Sequence, residues 1–313
     1  MCKVHHLIIA KRSAFRDIID YRKIECSKRT ILEVLISYLI KLFLRMGEWK
    51  MKIGCIQLNV GFGKVEENFA RAEEKIREAA NLGAEIIVLP EMWNTGYALE
   101  KLPELADVDG ERAKTFLQSL AIELGVHIVG GSVATKKDDK FFNTMYTFDN
   151  EGKQVGEYNK AHLFRLMDEH LYLEAGDAMN RFTLGDIEAA GVICYDIRFP
   201  EWLRAHAVAG AKVLFVPAQW PTPRIDHWKT LLQARAIENQ CFVIAVNRIA
   251  NKVENFNGQS MVIQPWGEVL WVGADDEEVA VIDVDFSIVD EVRGRIPVYD
   301  DRRPGLYSGV VEK

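Results

Sequence analysis

Short apolar runs alternate with amphipathic helical patterns along most of the chain. Residues 53–58, 85–89 and 212–216 are dominated by aliphatic side chains, which is typical of buried strands. Residues 66–82 instead repeat their apolar side chains at helical spacing. Alternation of this kind is typical of layered α/β folds, and no Pro-, Gly- or Ser-rich linker interrupts it. We therefore predict a single α/β domain over residues 51–313.

One strand-like run ends at a cysteine. Residues 189–193 are apolar, Cys194 follows them, and a helical pattern opens at Phe199-Pro200. Backbone N–H groups at a strand-to-helix turn favour a thiolate and can hold an oxyanion, so Cys194 is a candidate nucleophile. Considered alone, it fits a small buried core residue better.

Two charged residues follow other strand-like runs. Glu91 comes directly after residues 85–90, and Trp93 and Tyr97 would partly desolvate its carboxylate, as a general base requires. Lys160 ends the second arm of a predicted β-hairpin. Each also has an ordinary interpretation, Glu91 as a loop acid or helix cap and Lys160 as a solvated charge.

The three residues together are more informative than any one of them. In doubly wound sheets the carboxyl ends of the strands meet at one edge, where such proteins place their chemistry. A base, a cation and a nucleophile from three separate segments therefore predict a cysteine hydrolase that needs no metal.

Three motifs carry a resemblance to a known family. They are Leu89-Pro-Glu91, Tyr158-Asn-Lys160-Ala-His-Leu163 and Ile193-Cys-Tyr-Asp-Ile-Arg-Phe-Pro-Glu201. In this order and spacing the chain resembles the nitrilase, or carbon–nitrogen hydrolase, superfamily, from about Met51 to Tyr307. The resemblance implies an α/β fold of four layers, an α–β–β–α sandwich, with no cofactor and no metal.

The same resemblance implies catalytic roles and a reaction. It assigns Glu91 as the base, Lys160 as the cation that stabilises the oxyanion, Cys194 as the nucleophile and Glu169 as the residue that positions Lys160. Glu174 is close enough in sequence to be an alternative to Glu169. The implied reaction is amide hydrolysis through a thioester, with the backbone N–H of Tyr195 as a second oxyanion contact.

Residues 164–176, 219–228 and 301–307 look like the ω-amidase branch, and within it the 2-oxoglutaramate amidases of bacterial methionine salvage. That substrate joins a terminal amide to a 2-oxo acid, so its pocket needs a cation for the carboxylate. The candidate contacts are Arg198 or Arg165 as the cation, Tyr97 and Trp220 as walls, and His162 as either a substrate contact or a structural residue. The alternatives are a carbamoyl-amino-acid hydrolase, a nitrilase, an amidase of deaminated glutathione, or a catalytically silent scaffold.

Charge is unevenly distributed along the chain. Residues 1–50 hold 11 Lys and Arg against 5 Asp and Glu, a balance of +6. The whole chain carries −7, which leaves −13 for residues 51–313 and argues against nucleic-acid binding. The apolar run 31–44 contains Glu33 and Lys41 and is too short to cross a bilayer. We expect residues 1–50 to be an N-terminal extension. One interpretation is an amphipathic surface helix; the favoured one is upstream sequence read in frame before a start at Met51 or Met46, which would not be part of the native protein.

Cysteine use and partners complete the expectations. The cysteines are Cys2, Cys26, Cys55, Cys194 and Cys241, an odd number without a CxxC pair. This is no disulfide framework, so we expect a cytoplasmic enzyme. The resemblance implies a homodimer or larger homo-oligomer that acts on a small-molecule amide. A dinucleotide site is disfavoured because Gly61-Phe-Gly63 lacks the third glycine, and no HExxH motif indicates a metal site.

Overall fold

The computed structural model describes residues 50–250 and 255–307. Contacts along the chain separate residues 1–47 from residues 48–313, and all described residues belong to the second unit. The predicted N-terminal extension and its apolar run therefore lie outside the described residues, apart from Lys50, the first residue of the first strand.

Two β-sheets form the centre of the described part of the chain. The strands are β1 Lys50–Gln57, β2 Ile86–Val88, β3 Asp107–Val108, β4 His127–Val129, β5 Val133–Lys137, β6 Lys140–Phe148, β7 Gln154–Asn159, β8 Arg181–Leu184, β9 Ile187–Gly191, β10 Val213–Ala218, β11 Phe242–Asn247, β12 Met261–Ile263, β13 Val269–Val272 and β14 Glu278–Asp285. The first sheet has the order β14-β1-β2-β4-β6-β5-β3, with β7 paired to β6. The second has the order β13-β12-β11-β10-β9-β8.

Helices lie between these strands and after the last of them. They are α1 Val65–Asn81, α2 Leu102–Leu105, α3 Glu111–Leu124, α4 Glu169–Tyr172, α5 Pro200–Val208, α6 Ile225–Asn239 and α7 Ser287–Arg295. Pro200 occupies the first turn of α5, as the sequence predicted, because its fixed φ suits that position and its missing N–H needs no partner there.

The inner faces of the two sheets pack on each other. Successive residues of a strand point to opposite faces, so Ile53 and Cys55 of β1 enter the inner core, where they join Phe215 of β10. Gly54 points outward between them, towards α1. An added Cβ there would lie only 2.8 Å from the Cβ of Ala84, so glycine permits the close approach of that layer.

Helices cover both outer faces. On the first sheet, Ile87 shares a second core with Ile76 of α1 and Leu117 of α3. On the second sheet, Leu203 of α5 and Leu232 of α6 join the core beneath them. The arrangement is the predicted four-layer α–β–β–α sandwich, and that prediction is confirmed.

The strand directions bring loop segments from both sheets to one edge. In the first sheet β1, β2 and β4 are parallel, and in the second β9, β10 and β11 are parallel. The segments that follow β2, β9 and β10 are therefore carboxyl-end loops, the position where doubly wound sheets carry ligand sites.

Several element boundaries differ from those predicted. The apolar residues Met261, Val262 and Ile263 predict a strand over residues 259–263. The strand begins only at Met261, because Gln259 has a φ of 59°, which an extended strand does not accommodate. β8 and α7 were not predicted. β8 has only four residues, and α7 buries only Val289 and Val292, so neither presents enough apolar positions to reveal a period.

Candidate active site

Three buried residues from separate strand ends meet at this edge. Glu91 lies three residues beyond β2, Lys160 follows β7 directly, and Cys194 lies three residues beyond β9 at the start of a 3-10 turn. Glu91 and Lys160 are completely buried, and Cys194 is only 6% exposed. The sequence prediction that these three side chains come together therefore agrees with the geometry.

Lys160 lies between two buried carboxylates. Its Nζ is 2.8 Å from Oε1 of Glu91 and 2.7 Å from Oε1 of Glu169. Burial lowers the pKa of Lys160, but the two carboxylates more than offset this and hold it well above its usual value. Lys160 is thus a permanent cation. Burial also raises the pKa of Glu169, against the opposing effect of Lys160.

Glu174, the sequence alternative to Glu169, lies elsewhere. Its carboxylate is 3.7 Å from Nζ of Lys140, and both side chains are exposed to solvent. Glu169 instead accepts a hydrogen bond from the backbone N–H of Phe164 at 2.9 Å through its second oxygen. The geometry therefore favours Glu169 as the partner of Lys160.

Further donors fix the Glu91 carboxylate. Oε1 accepts from Nδ2 of Asn143 at 2.8 Å and contacts the hydroxyl of Tyr97 at 2.8 Å. Oε2 accepts from the backbone N–H of Gln219 at 2.7 Å. Burial and the charges of both carboxylates raise the pKa of Tyr97 well above its usual value, so the hydroxyl remains a neutral donor.

The backbone at Cys194 is strained. Its φ of 45° lies in the left-handed region, which non-glycine residues seldom adopt. Met92, Tyr97 and Asp168, which border the same site, also have positive φ values. Such strain persists only where surrounding contacts enforce it, and it concentrates at functional sites.

The surroundings of the Cys194 thiol favour its protonated form. Burial raises its pKa well above the usual value, and the negative charge of Glu91 raises it further, against a lowering by Lys160. The sequence predicted the opposite, a thiolate favoured by nearby N–H groups. That prediction is wrong, because desolvation and the adjacent carboxylate outweigh the backbone dipoles.

A small pocket opens onto Cys194. It is lined by Tyr97, Phe164, Met167, Cys194, Tyr195, Arg198, Gln219, Trp220, Pro221 and Arg224. The wall contains two arginines and no acidic side chain.

Comparison with known proteins agrees with this arrangement. The family model described as carbon–nitrogen hydrolase matches residues 52–294. The chain belongs to the carbon–nitrogen hydrolase family. It is 51% identical over 259 residues to the 2-oxoglutaramate amidase of Bacillus subtilis strain 168, covering 82% of this chain and 100% of that protein.

Matches to more distant relatives also cover most of this hydrolase. It is 32% identical over 273 residues to the human omega-amidase NIT2, covering 84% of this chain and 98% of that protein. A solved carbon–nitrogen hydrolase superfamily protein from Xanthomonas campestris superposes with a TM-score of 0.75 at 28% identity, over 81% of this chain and 98% of that one.

Most residues predicted to contact substrate line the pocket of the hydrolase. Tyr97, Tyr195, Arg198 and Trp220 all do so. His162 and Arg165 lie outside the pocket wall, by contrast.

His162 faces Asp196 rather than the pocket. Its Nδ1 is 2.7 Å from Oδ1 of Asp196, and its ring stacks on Phe199 with the centroids 3.7 Å apart. Arg165 is exposed, because the 3-10 turn Arg165–Met167 directs it to solvent while Phe164 and Met167 face inward.

Arg198 and Arg224 are the cations of the pocket wall. The Arg198 guanidinium lies 4.9 Å from the ring centre of Trp220, and that of Arg224 lies 5.4 Å from the ring centre of Phe164. Neither forms an ion pair with a carboxylate anywhere in residues 50–250 or 255–307. Arg198 does contact Nδ1 of His227 at 3.2 Å.

The sequence reasoning missed Arg224, Asn143 and Gln219. Gln219 directly follows β10, so the strand-end argument applied to Glu91 would have found it. Asn143 lies within β6 and Arg224 within a proline-rich 3-10 turn, and no local pattern marks either. Their roles depend on contacts between distant segments.

Two features are absent from the described residues, a metal site and a membrane-spanning helix. No group of three or more His, Cys, Asp or Glu side chains there is arranged to hold a metal ion. Similarly, none of the helices described above is long and apolar enough to cross a membrane.

Proposed function

We propose that this hydrolase is a cysteine-dependent ω-amidase that converts 2-oxoglutaramate and water to 2-oxoglutarate and ammonia. The 51% identity to a 2-oxoglutaramate amidase over that protein's full length carries the proposal. The small pocket supports it, because its wall holds two arginines that form no ion pair within residues 50–250 and 255–307, and the substrate has an amide at one end and a 2-oxo acid at the other.

The first half of the proposed reaction forms a thioester. Glu91 takes the proton from the Cys194 thiol as sulfur attacks the amide carbon, which gives a tetrahedral oxyanion. Glu91 then gives that proton to the nitrogen, the C–N bond breaks, and ammonia leaves. Because the resting thiol is protonated, this base is needed in the attack itself.

Lys160 and the backbone N–H of Tyr195 stabilise the oxyanion in this proposal. The Nζ of Lys160 contacts Glu91, Glu169 and, at 3.3 Å, the hydroxyl of Tyr97. The contact with Tyr97 is the longest, so that N–H is the one most easily redirected to the substrate oxygen. Donors placed where negative charge develops usually contribute most to such reactions.

The second half of the proposed reaction regenerates the enzyme. Glu91 takes a proton from water, the hydroxyl attacks the thioester, and the C–S bond breaks. Glu91 then returns the proton to sulfur, so that each turnover consumes one water and releases one acid and one ammonia. The hydrogen bonds from Asn143 and Gln219 hold the carboxylate in place through all of these steps.

We expect the pocket to require a carboxylate on the substrate. Succinamate and 2-oxoglutaramate should be cleaved about 10²-fold more efficiently, as kcat/KM, than neutral amides of the same length. The reason is that a charge-assisted hydrogen bond contributes about 1.5–3 kcal/mol, and a guanidinium grips a carboxylate with two. Ammonia release from a panel with nitriles and carbamoyl amino acids also tests the alternative activities.

Arginine variants test which side chain causes the preference for a substrate carboxylate. Arg198→Met or Arg224→Met should reduce it, whereas Arg165→Met, outside the pocket wall, should leave it unchanged. Equal kcat/KM values for succinamate and a matched neutral amide in the wild-type enzyme would refute the ω-amidase proposal and leave only a broader amidase.

We also propose that residues 51–313 are sufficient for an active homodimer. The family match begins at residue 52, and β1 begins to bury side chains at Ile53. The shortened chain should sediment as a dimer at micromolar concentration and retain the turnover of the full chain. Aggregation, a monomer or a large loss of activity would contradict this.

A cytoplasmic location is part of the same proposal. The reaction needs a reduced Cys194, and Cys55, Cys194 and Cys241 are free cysteines. Cell fractionation checks this, and recovery of the activity outside the cytoplasmic fraction would contradict it.

A further inference from the structure

The mechanism does not use one buried carboxylate close to the nucleophile. Asp196 lies two residues beyond Cys194 and is completely buried. No lysine or arginine pairs with it in the described part of the chain, where His162 is its one partner that could carry a positive charge. A buried carboxylate without a cationic Lys or Arg must be stabilised by hydrogen bonds, and an unsatisfied one would be strongly destabilising.

Four donors satisfy the two oxygens of Asp196. Oδ2 accepts from the backbone N–H of Ile193 and from the hydroxyl of Tyr158, both at 2.8 Å. Oδ1 accepts from the backbone N–H of His162 at 3.0 Å and lies 2.7 Å from its Nδ1. An ionised carboxylate has about four acceptor positions, so all of them are filled.

These donors belong to the two segments that carry Lys160 and Cys194. Tyr158 and His162 flank Lys160 on either side, and Ile193 precedes Cys194. The Tyr158 hydroxyl also accepts from the backbone N–H of Ala161 at 3.1 Å. Asp196 thus connects the residues on both sides of Lys160, which follows a strand of the first sheet, to the turn that contains Cys194, which follows a strand of the second sheet.

The contact with Ile193 also acts on the backbone at Cys194. The N–H of Ile193 donates to the carboxylate of Asp196, and the N–H of Asp196 donates to the carbonyl of Ile193 at 3.0 Å. This closed pair of hydrogen bonds encloses Cys194 and enforces its φ of 45°.

We propose that Asp196 is a positioning residue that sets the placement of the Cys194 sulfur relative to Glu91 and Lys160. We assign it no direct contact with substrate, because protein groups already occupy its acceptor positions and it does not line the pocket. This inference rests on the proposed covalent mechanism but not on the identity of the substrate.

Asp196→Asn tests the proposal. The amide keeps the shape of the side chain, but its NH₂ group cannot accept from Ile193 or from His162. The turn should relax, and kcat for succinamate should fall about 10²-fold with KM little changed, because a displacement of about 1 Å costs roughly that much. Alkylation of Cys194 by iodoacetamide, measured on its peptide, should slow about 10-fold.

Asp107→Asn is the matched control. Asp107 accepts hydrogen bonds from two backbone N–H groups at the start of α3, at 2.7 and 3.2 Å, and lies outside the pocket wall. The Asp107→Asn variant should lower Tm by about as much as Asp196→Asn does, while leaving kcat and the alkylation rate of Cys194 unchanged. Tyr158→Phe removes one donor to Asp196 and keeps the ring, so it should reproduce a smaller part of the kcat loss even if Asp196→Asn fails to fold.

Two outcomes would overturn the proposal. One is a kcat and an alkylation rate within about twofold of wild type for folded Asp196→Asn, or for Tyr158→Phe if Asp196→Asn does not fold. The other is a change in KM alone. The alkylation rate needs no substrate, so a failure of the ω-amidase proposal would appear separately, as absent turnover in the wild-type enzyme.

Discussion

Cys194→Ala should reduce amide turnover by about 10⁴-fold or more, to the level of the uncatalysed reaction. The proposed thioester needs the sulfur, and the described pocket wall contains no other cysteine and no serine, threonine or lysine. The substitution removes only one atom, so Tm should change little. Ammonia release at saturating succinamate and a thermal melt measure the two effects.

Cys241→Ala is the matched control for this substitution. Cys241 is also completely buried, but it lies beside Phe242 at the start of β11, and Arg293 and Arg204 are the charged groups that act on it. We expect full activity from this variant. Residual activity above about 1% in Cys194→Ala would show that the covalent mechanism is wrong.

Glu91→Gln should lower kcat by about 10²–10⁴-fold, the usual contribution of a general base. The resting thiol is protonated, so without this carboxylate nothing beside it can take its proton. In the wild type, Oε2 of Glu91 accepts a hydrogen bond from the backbone N–H of Gln219. The amide of the variant would place an N–H donor against that N–H and lose the bond. Stopped-flow measurement of ammonia release should show slow thioester formation rather than weak binding.

Glu174→Gln makes the same chemical change outside the site. Glu174 pairs with Lys140 at the surface, so the variant should retain wild-type kcat. An equal loss in both variants would mean that the effect of Glu91→Gln reflects overall charge rather than base catalysis.

The principal candidate residues could be found from the sequence because their signals are local. Glu91, Lys160 and Cys194 each follow an apolar strand-like run, and strand ends of that kind converge at one edge of a sheet. Family resemblance supplied the second sheet, which periodicity does not reveal. The apolar period of a strand is the same whichever sheet it joins.

The pocket wall depended on the tertiary structure. The sequence analysis named Arg165 as a candidate cation and not Arg224, yet only Arg224 lines the pocket. Which side chain reaches the pocket depends on how the turns after β7 and β10 are held, and these belong to different sheets. Gln219 shows the distance involved, since it contacts Glu91 across 128 positions of sequence.

The protonation of the nucleophile also required the fold. The sequence by itself determined that Cys194 begins a strand-to-helix turn, and from this alone a stabilised thiolate is the natural expectation. Only the tertiary structure placed that sulfur in a buried site beside the carboxylate of Glu91. Desolvation and charge repulsion act through space between distant segments, whereas the backbone dipoles that mislead the prediction act within one turn.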